Sequence, residues 1–128
     1  MISLDTNVLV RLIVDDEQAP QQVAAARARV QVEDTVCISQ SVFLETMWVL
    51  ERSYGYPRKT IADVAMRLLD HGKYRIADCA LLMAAVEIHR VSSIAFGDAL
   101  ALADARAMNA TLITFDRKLV RLEGADAV

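Results

Sequence analysis

Short apolar runs alternate along the chain with longer segments whose apolar residues recur at helical spacing. The short runs predict strands at residues 2–5, 36–39, 74–77, 111–114 and 125–128. The longer segments predict helices at residues 6–14, 19–32, 40–53, 58–69, 78–89, 98–108 and 117–122. The acidic residues 15–17 have N-cap chemistry for the helix at 19–32, and His71-Gly72 is the expected C-cap of the helix at 58–69.

The predicted strands are apolar throughout instead of alternating, which is typical of strands covered by helices on both faces. Because strands and helices also alternate in order, we predict an α/β fold with a short, mostly parallel central sheet wrapped by helices. The 128 residues contain no internal repeat and no linker-like segment. We therefore predict a single domain over residues 1–128.

Hydrophobic residues make up 55% of the chain, and the helix at 40–53 is apolar nearly all round. This surplus of apolar surface predicts a homodimer and a protein partner. No stretch approaches the roughly 18 apolar residues of a membrane span. The first residues, Met1–Asp5, lack the basic and apolar regions of a signal peptide, so we expect a cytoplasmic protein without membrane contact.

The net charge and the few cysteines and histidines limit the kinds of site that the chain can form. The net charge of -3 argues against a broad basic face for nucleic acid, but leaves room for an acidic pocket that recruits a cation. Cys37 and Cys79 are expected to be reduced, packed thiols. Since His71 and His89 are the only histidines, a zinc cluster and a histidine-activated nucleophile are both disfavoured.

Three aspartates stand where strands end or helices begin, at Asp5, Asp98 and Asp116. Each is explained by helix N-capping alone, because an aspartate oxygen accepts from the free amides of a first turn. The alternative is that they converge, since ligands of parallel sheets bind beyond the carboxyl ends of the strands.

Glu45 is a fourth candidate and lies on the apolar helix at 40–53, in a stripe with Ser41, Trp48 and Arg52. The stripe is either the solvated face of that helix or the wall of a polar pocket, and the helix alone leaves both open. Four converging carboxylates would repel one another without a cation. Because all the donors are oxygens, Mg²⁺ or Mn²⁺ is favoured, and such an ion lowers the pKa of a bound water.

The chain resembles the PIN-domain family, and within it the VapC-like toxins, over essentially its whole length. The resemblance rests on residues 4–9 (Leu-Asp-Thr-Asn-Val-Leu), Glu45 after the second strand, residues 98–100 (Asp-Ala-Leu) and residues 112–119 (Leu-Ile-Thr-Phe-Asp-Arg-Lys-Leu). Residues 74–91 carry no motif that matches the family residue by residue.

The resemblance implies a Mg²⁺- or Mn²⁺-dependent endoribonuclease, the toxin of a toxin–antitoxin pair, with a PIN-like fold. Its metal site would consist of Asp5, Glu45, Asp98 and Asp116, with Asp5 and Asp98 the firmest ligands. The small polar groups of Thr6, Asn7 and Thr114 would orient these carboxylates. The implied substrate is RNA, cleaved by metal-activated water, and an antitoxin would cover the pocket.

Basic side chains beside the motifs have two interpretations. Arg11, Arg117, Lys118 and Arg121 either form solvated helix faces or bind RNA phosphates. Asp104, six residues after Asp98, points to another side of its helix and is expected at the surface.

Three other functions compete with the nuclease. A receiver-like phosphoacceptor domain would need paired acids after the first strand, where this chain has Thr6 and Asn7 beside Asp5. A haloacid-dehalogenase-like phosphatase would need a second aspartate at position 7, which is asparagine. A non-catalytic binding module that keeps a vestigial pocket is the remaining alternative.

Overall fold

The computed structural model describes all residues from 1 to 128. They form two compact units, Met1–Ala77 and Asp78–Val128. No helix is both long enough and apolar enough to pass through a lipid bilayer.

The first unit combines four helices with a three-stranded parallel sheet. Its elements are β1 (Ile2–Ser3), α1 (Thr6–Ile13), α2 (Pro20–Gln31), β2 (Val36–Ile38), α3 (Gln40–Arg52), α4 (Arg58–Asp70) and β3 (Tyr74–Ile76). The strand order is β1-β2-β3, and Val36 pairs with Ile2 on one side and Tyr74 on the other. Both strand pairs are parallel, because a pair of helices returns the chain to the same sheet edge each time.

Helix α1 packs against α2 and α3, and α3 packs against α4. Large side chains from α1, β2 and α3 are fully buried there, among them Leu9, Ile38, Phe43 and Leu50. Burying a side chain of this size stabilises the fold by about 1.5–3 kcal/mol each, so this core holds α1 and α3 firmly.

The second unit contains three helices and a parallel strand pair. Its elements are α5 (Cys79–Val91), α6 (Phe96–Ala107), β4 (Leu112–Thr114), α7 (Arg117–Val120) and β5 (Ala125–Ala127). Helices α5 and α6 pack along each other and bury Leu82, Ala99 and Leu102 completely. The β4–β5 pair aligns Ile113 with Asp126.

The α/β prediction is confirmed, and every predicted helix and strand is present with ends shifted by a few residues. The strands hydrogen-bond in two groups, β1-β2-β3 and β4-β5. The single-domain prediction for residues 1–128 stays a prediction.

The predicted cap of α2 is wrong, whereas that of α4 is correct in position. Helix α2 has Ala19 at its N-cap with no side-chain hydrogen bond, because Pro20 begins the helix and the Asp16 carboxylate accepts from the Gln18 amide instead. Helix α4 has His71 as its C-cap, as predicted, but it ends without a left-handed glycine, since His71 is extended and Gly72 has no positive φ. The His71 carbonyl accepts from the Tyr74 amide at 3.0 Å, which turns the chain directly into β3.

Candidate active site

Asp5 lies between β1 and α1, where it is the N-cap of the helix. Its Oδ1 accepts from the Val8 amide at 3.1 Å, and its backbone is extended, as a capping residue requires. The capping interpretation is therefore correct for Asp5. It is incomplete, however, because the side chain is exposed and Oδ2 has no hydrogen-bond partner in the protein. One carboxylate oxygen caps the helix and the other is available to a ligand.

Glu45 is joined to the residue that follows Asp5. The buried Thr6 hydroxyl donates to Glu45 Oε2 at 3.0 Å, which links α1 to α3. The Glu45 stripe faces solvent, with Trp48 56% exposed and the Arg52 guanidinium 5.8 Å from the centre of its indole ring. From the sequence, this stripe could be either the solvated face of the helix or the wall of a polar pocket. In the structure it faces solvent, and Thr6 binds the Glu45 carboxylate.

Asp5 also lines an open cleft of about 590 Å³, together with Asn7, Arg11, Gln22 and Arg29 among others. Arg11, a candidate phosphate contact, already has several partners there. Its Nε donates to Gln22 at 2.9 Å, and its Nη1 contacts the Tyr54 hydroxyl at 2.8 Å and Asp16 at 3.4 Å. Arg11 therefore links α1 to α2, to the loop before α2 and to the turn after α3, which leaves mainly Nη2 for an external ligand.

Asp98 differs from Asp5 in its relation to the helix. Helix α6 begins at Phe96 with Ala95 as its N-cap, so Asp98 is the third helical residue and its side chain caps nothing. The capping interpretation is thus wrong for Asp98. The buried Ile94 and Phe96 explain the earlier start, because tertiary packing of these side chains sets the helix end.

The pKa of Asp98 is raised from its usual value, first by burial and then by the negative charge of Asp116. Asp98 is therefore a half-buried acid with no capping role, and the charge of a second acid in the same unit repels its ionised form. A raised pKa from burial and like charge is typical of functional carboxylates and of cation sites.

Asp116 is the N-cap of the short helix α7. Its Oδ1 accepts from the Lys118 amide at 2.8 Å and from the Leu119 amide at 3.3 Å, so the capping interpretation is correct here too. The Thr114 hydroxyl accepts from the Asp116 amide at 3.0 Å, which holds the turn between β4 and α7. As at Asp5, the carboxylate is exposed and Oδ2 has no partner in the protein.

The other candidate positions differ in how far they are engaged. Arg117, Lys118 and Arg121 are exposed, and their side chains make no hydrogen bond or salt bridge. Asp104 is half-buried instead of fully at the surface. Sequence reasoning missed Phe115, which is 87% exposed between β4 and Asp116. Its signal was the one large apolar side chain at the start of an otherwise polar turn.

The candidate acids thus divide between the two units: Glu45 is bonded to Thr6, the residue after Asp5, in the first unit, and the charges of Asp98 and Asp116 interact in the second. In neither unit do three or more His, Cys, Asp or Glu side chains cluster as a metal site. The donor set nevertheless fits Mg²⁺ or Mn²⁺, because it is all oxygen and Asp98 and Asp116 repel each other. That all four acids meet in one pocket stays a prediction.

The PIN domain family model matches residues 2–125, so the match runs through both units. The chain belongs to the PIN domain family. PIN domains are generally nucleases, and those nucleases typically use divalent metals. No curated protein sequence matches the chain.

Proposed function

We propose that this protein is a metal-dependent endoribonuclease and the toxin of a toxin–antitoxin pair of the VapBC type. The observation that carries the proposal is Asp98, which is half-buried, caps no helix and has its pKa raised by the neighbouring Asp116 charge. Holding two like charges together without a structural role costs stability. A bound cation would relieve the repulsion between the two carboxylates. Because the chain belongs to the PIN domain family, a nuclease is the most direct function for such a cation site.

In this proposal Asp5, Glu45, Asp98 and Asp116 hold Mg²⁺ or Mn²⁺. When bound, the ion supplies an activated water and stabilises charge on the RNA phosphodiester. The unpartnered Oδ2 atoms of Asp5 and Asp116 support ligand roles, because capping uses only Oδ1 of each.

The neighbouring polar groups position the acids. Thr6 fixes one oxygen of Glu45 by its hydrogen bond, and Thr114 holds the turn that presents Asp116. Asn7 follows at the exposed start of α1 and lines the same cleft as Asp5. Positioning of this kind keeps carboxylates in the geometry that a metal requires.

A protein partner and a homodimer form part of the proposal. The large exposed apolar side chains that support it are Trp48, Met83, Val91, Met108 and Ile113. Side chains of this kind in a small domain are typical of surfaces that other chains cover. The antitoxin would cover the candidate active site.

A non-catalytic binding module is the second candidate, because Asp5 and Asp116 both cap helices and so have structural reasons to be acidic. At Asp98 the only such reason is its position in the first turn of α6, where a carboxylate interacts favourably with the helix dipole. The two functions therefore separate at that residue.

The test is RNA cleavage by purified protein with Mg²⁺ or Mn²⁺, comparing wild type with Asp98→Asn and Asp104→Asn. Asp104 is the matched control, because it lies on the same helix, is also half-buried and loses the same charge. We expect Asp98→Asn to abolish cleavage and Asp104→Asn to preserve it. Equal cleavage by wild type and Asp98→Asn, or none by wild type with either ion, would contradict the proposed mechanism.

A further inference from the structure

Phe115 exposes 87% of its surface in the turn between β4 and α7. Ile113, two residues earlier on β4, is 54% exposed. Phe115 stands in the sequence directly before Asp116, whose side chain and amide are both engaged in the turn. The ring is therefore presented by a well-defined turn at the edge of a candidate catalytic acid.

The residues after this ring are unusually basic for the chain. Residues 115–121 contain Arg117, Lys118 and Arg121 against the single acid Asp116, a local net charge of +2 in a protein of net charge -3. None of the three cations is in a salt bridge or side-chain hydrogen bond. By contrast, Arg11, Arg29 and Arg106 are all engaged by other groups of the protein.

We propose that Phe115 stacks on an unpaired nucleobase of the RNA substrate, while Arg117, Lys118 and Arg121 contact the adjoining phosphates. This inference rests on the proposed function and narrows its substrate to RNA that is single-stranded next to the cleavage site. Exposed aromatic rings flanked by cations are typical of sites that bind single-stranded nucleic acid. The ring stacks on the face of an unpaired base, and the cations contact the negatively charged phosphates. Bases inside a duplex have no free face for the ring.

The charge around Phe115 argues for RNA over a second protein chain. A protein interface is usually depleted of charge at its core, whereas here three unpaired cations follow the ring within six residues.

The experiment measures binding of a short, fluorescently labelled, unstructured RNA to the full chain in EDTA. Fluorescence anisotropy then reports binding without cleavage. The variants are Phe115→Ala, Phe115→Leu and Phe115→Trp, with Met108→Ala as the matched control, since Met108 is 71% exposed in the same unit. Circular dichroism checks that each variant folds.

We expect Phe115→Ala and Phe115→Leu to weaken binding about 5- to 140-fold, the range of one lost base stack. Phe115→Trp should bind at least as well as wild type, and Met108→Ala should equal wild type. Blunt duplex RNA should bind equally to wild type and Phe115→Ala. Replacing Arg117, Lys118 and Arg121 by Gln should reduce the slope of log Kd against log salt by about 2, at about 0.7 per phosphate contact.

Wild-type affinity in Phe115→Ala would overturn the proposal. So would full affinity in Phe115→Leu, which would show that any apolar side chain suffices. A change of oligomeric state in Phe115→Ala by light scattering, with RNA affinity unchanged, would assign the ring to an interface between copies. Phe115-dependent binding without any cleavage by wild type with Mg²⁺ or Mn²⁺ would reject the nuclease but support the stack.

Discussion

Replacing each acid by Asn and by Ala distinguishes capping from ligand binding, because the structure gives Asp5 a capping hydrogen bond and Asp98 none. Asn keeps a side-chain oxygen that can cap, while Ala does not. Loss of an N-cap costs about 1 kcal/mol. For 128 residues this corresponds to a Tm difference of about 4 °C, at about 2.1 cal/mol/K of unfolding entropy per residue. We therefore expect Asp5→Ala to melt about 4 °C below Asp5→Asn.

The same pair of changes at Asp98 should behave differently. Since the folded pKa of Asp98 is raised, its ionised form destabilises the fold at neutral pH, where the unfolded carboxyl is also ionised. Both Asp98→Asn and Asp98→Ala remove that charge, so both should be at least as stable as wild type in EDTA and equal to each other. The assay is thermal unfolding of purified protein in EDTA at pH 7, followed by circular dichroism.

Two outcomes would refute this reasoning. Asp98→Ala melting about 4 °C below Asp98→Asn would show that Asp98 caps a helix after all. Equal melting of Asp5→Ala and Asp5→Asn would show that the Asp5–Val8 bond contributes nothing. Asp104→Asn is the control for loss of a half-buried charge on α6.

Three further predictions follow from the same side chains. Mg²⁺ or Mn²⁺ at about ten times its Kd should stabilise wild type by about 1.4 kcal/mol, and a melting curve that EDTA leaves unchanged would contradict this. The pKa of Asp16 is lowered by hydrogen bonds from Gln18 and Tyr54 and by Arg11, so its stabilisation is lost as pH falls below about 4. Tyr54→Phe should lessen this acid-dependent loss in urea titrations between about pH 3 and 6, and an unchanged profile would count against the Tyr54 bond. Wild type should scatter light as a dimer, whereas a monomer at high concentration would refute the homodimer.

Most elements of the fold could be predicted because their signal is local. The sequence alone reveals the apolar runs of β2 and β4 and the helical spacing of apolar residues in α3 and α5. Recognising them requires no knowledge of distant contacts. The caps were less predictable, since α6 begins where Ile94 and Phe96 become buried and not at the aspartate. Tertiary packing overrides local cap preference in such a case.

The sequence predicted which residues are candidates for the site, but not the contacts that these residues make. Aspartates that follow predicted strands can be identified from their position in the sequence, as Asp5 and Asp116 were. The Arg11–Tyr54 bond joins residues 43 apart, and the Thr6–Glu45 bond joins residues 39 apart, so no local pattern reveals them. The exposure of Phe115 was equally hidden, because a short apolar strand can bury or expose its last neighbour.

The most direct test of the central claim is to map the RNA 5′ ends that form in cells when the protein is expressed without a partner. Wild type, Asp98→Asn and Asp104→Asn would be compared at equal protein levels. We predict discrete new ends for wild type and Asp104→Asn and none for Asp98→Asn. The same ends in Asp98→Asn, or no new ends in wild type, would contradict an endoribonuclease that works through this acid.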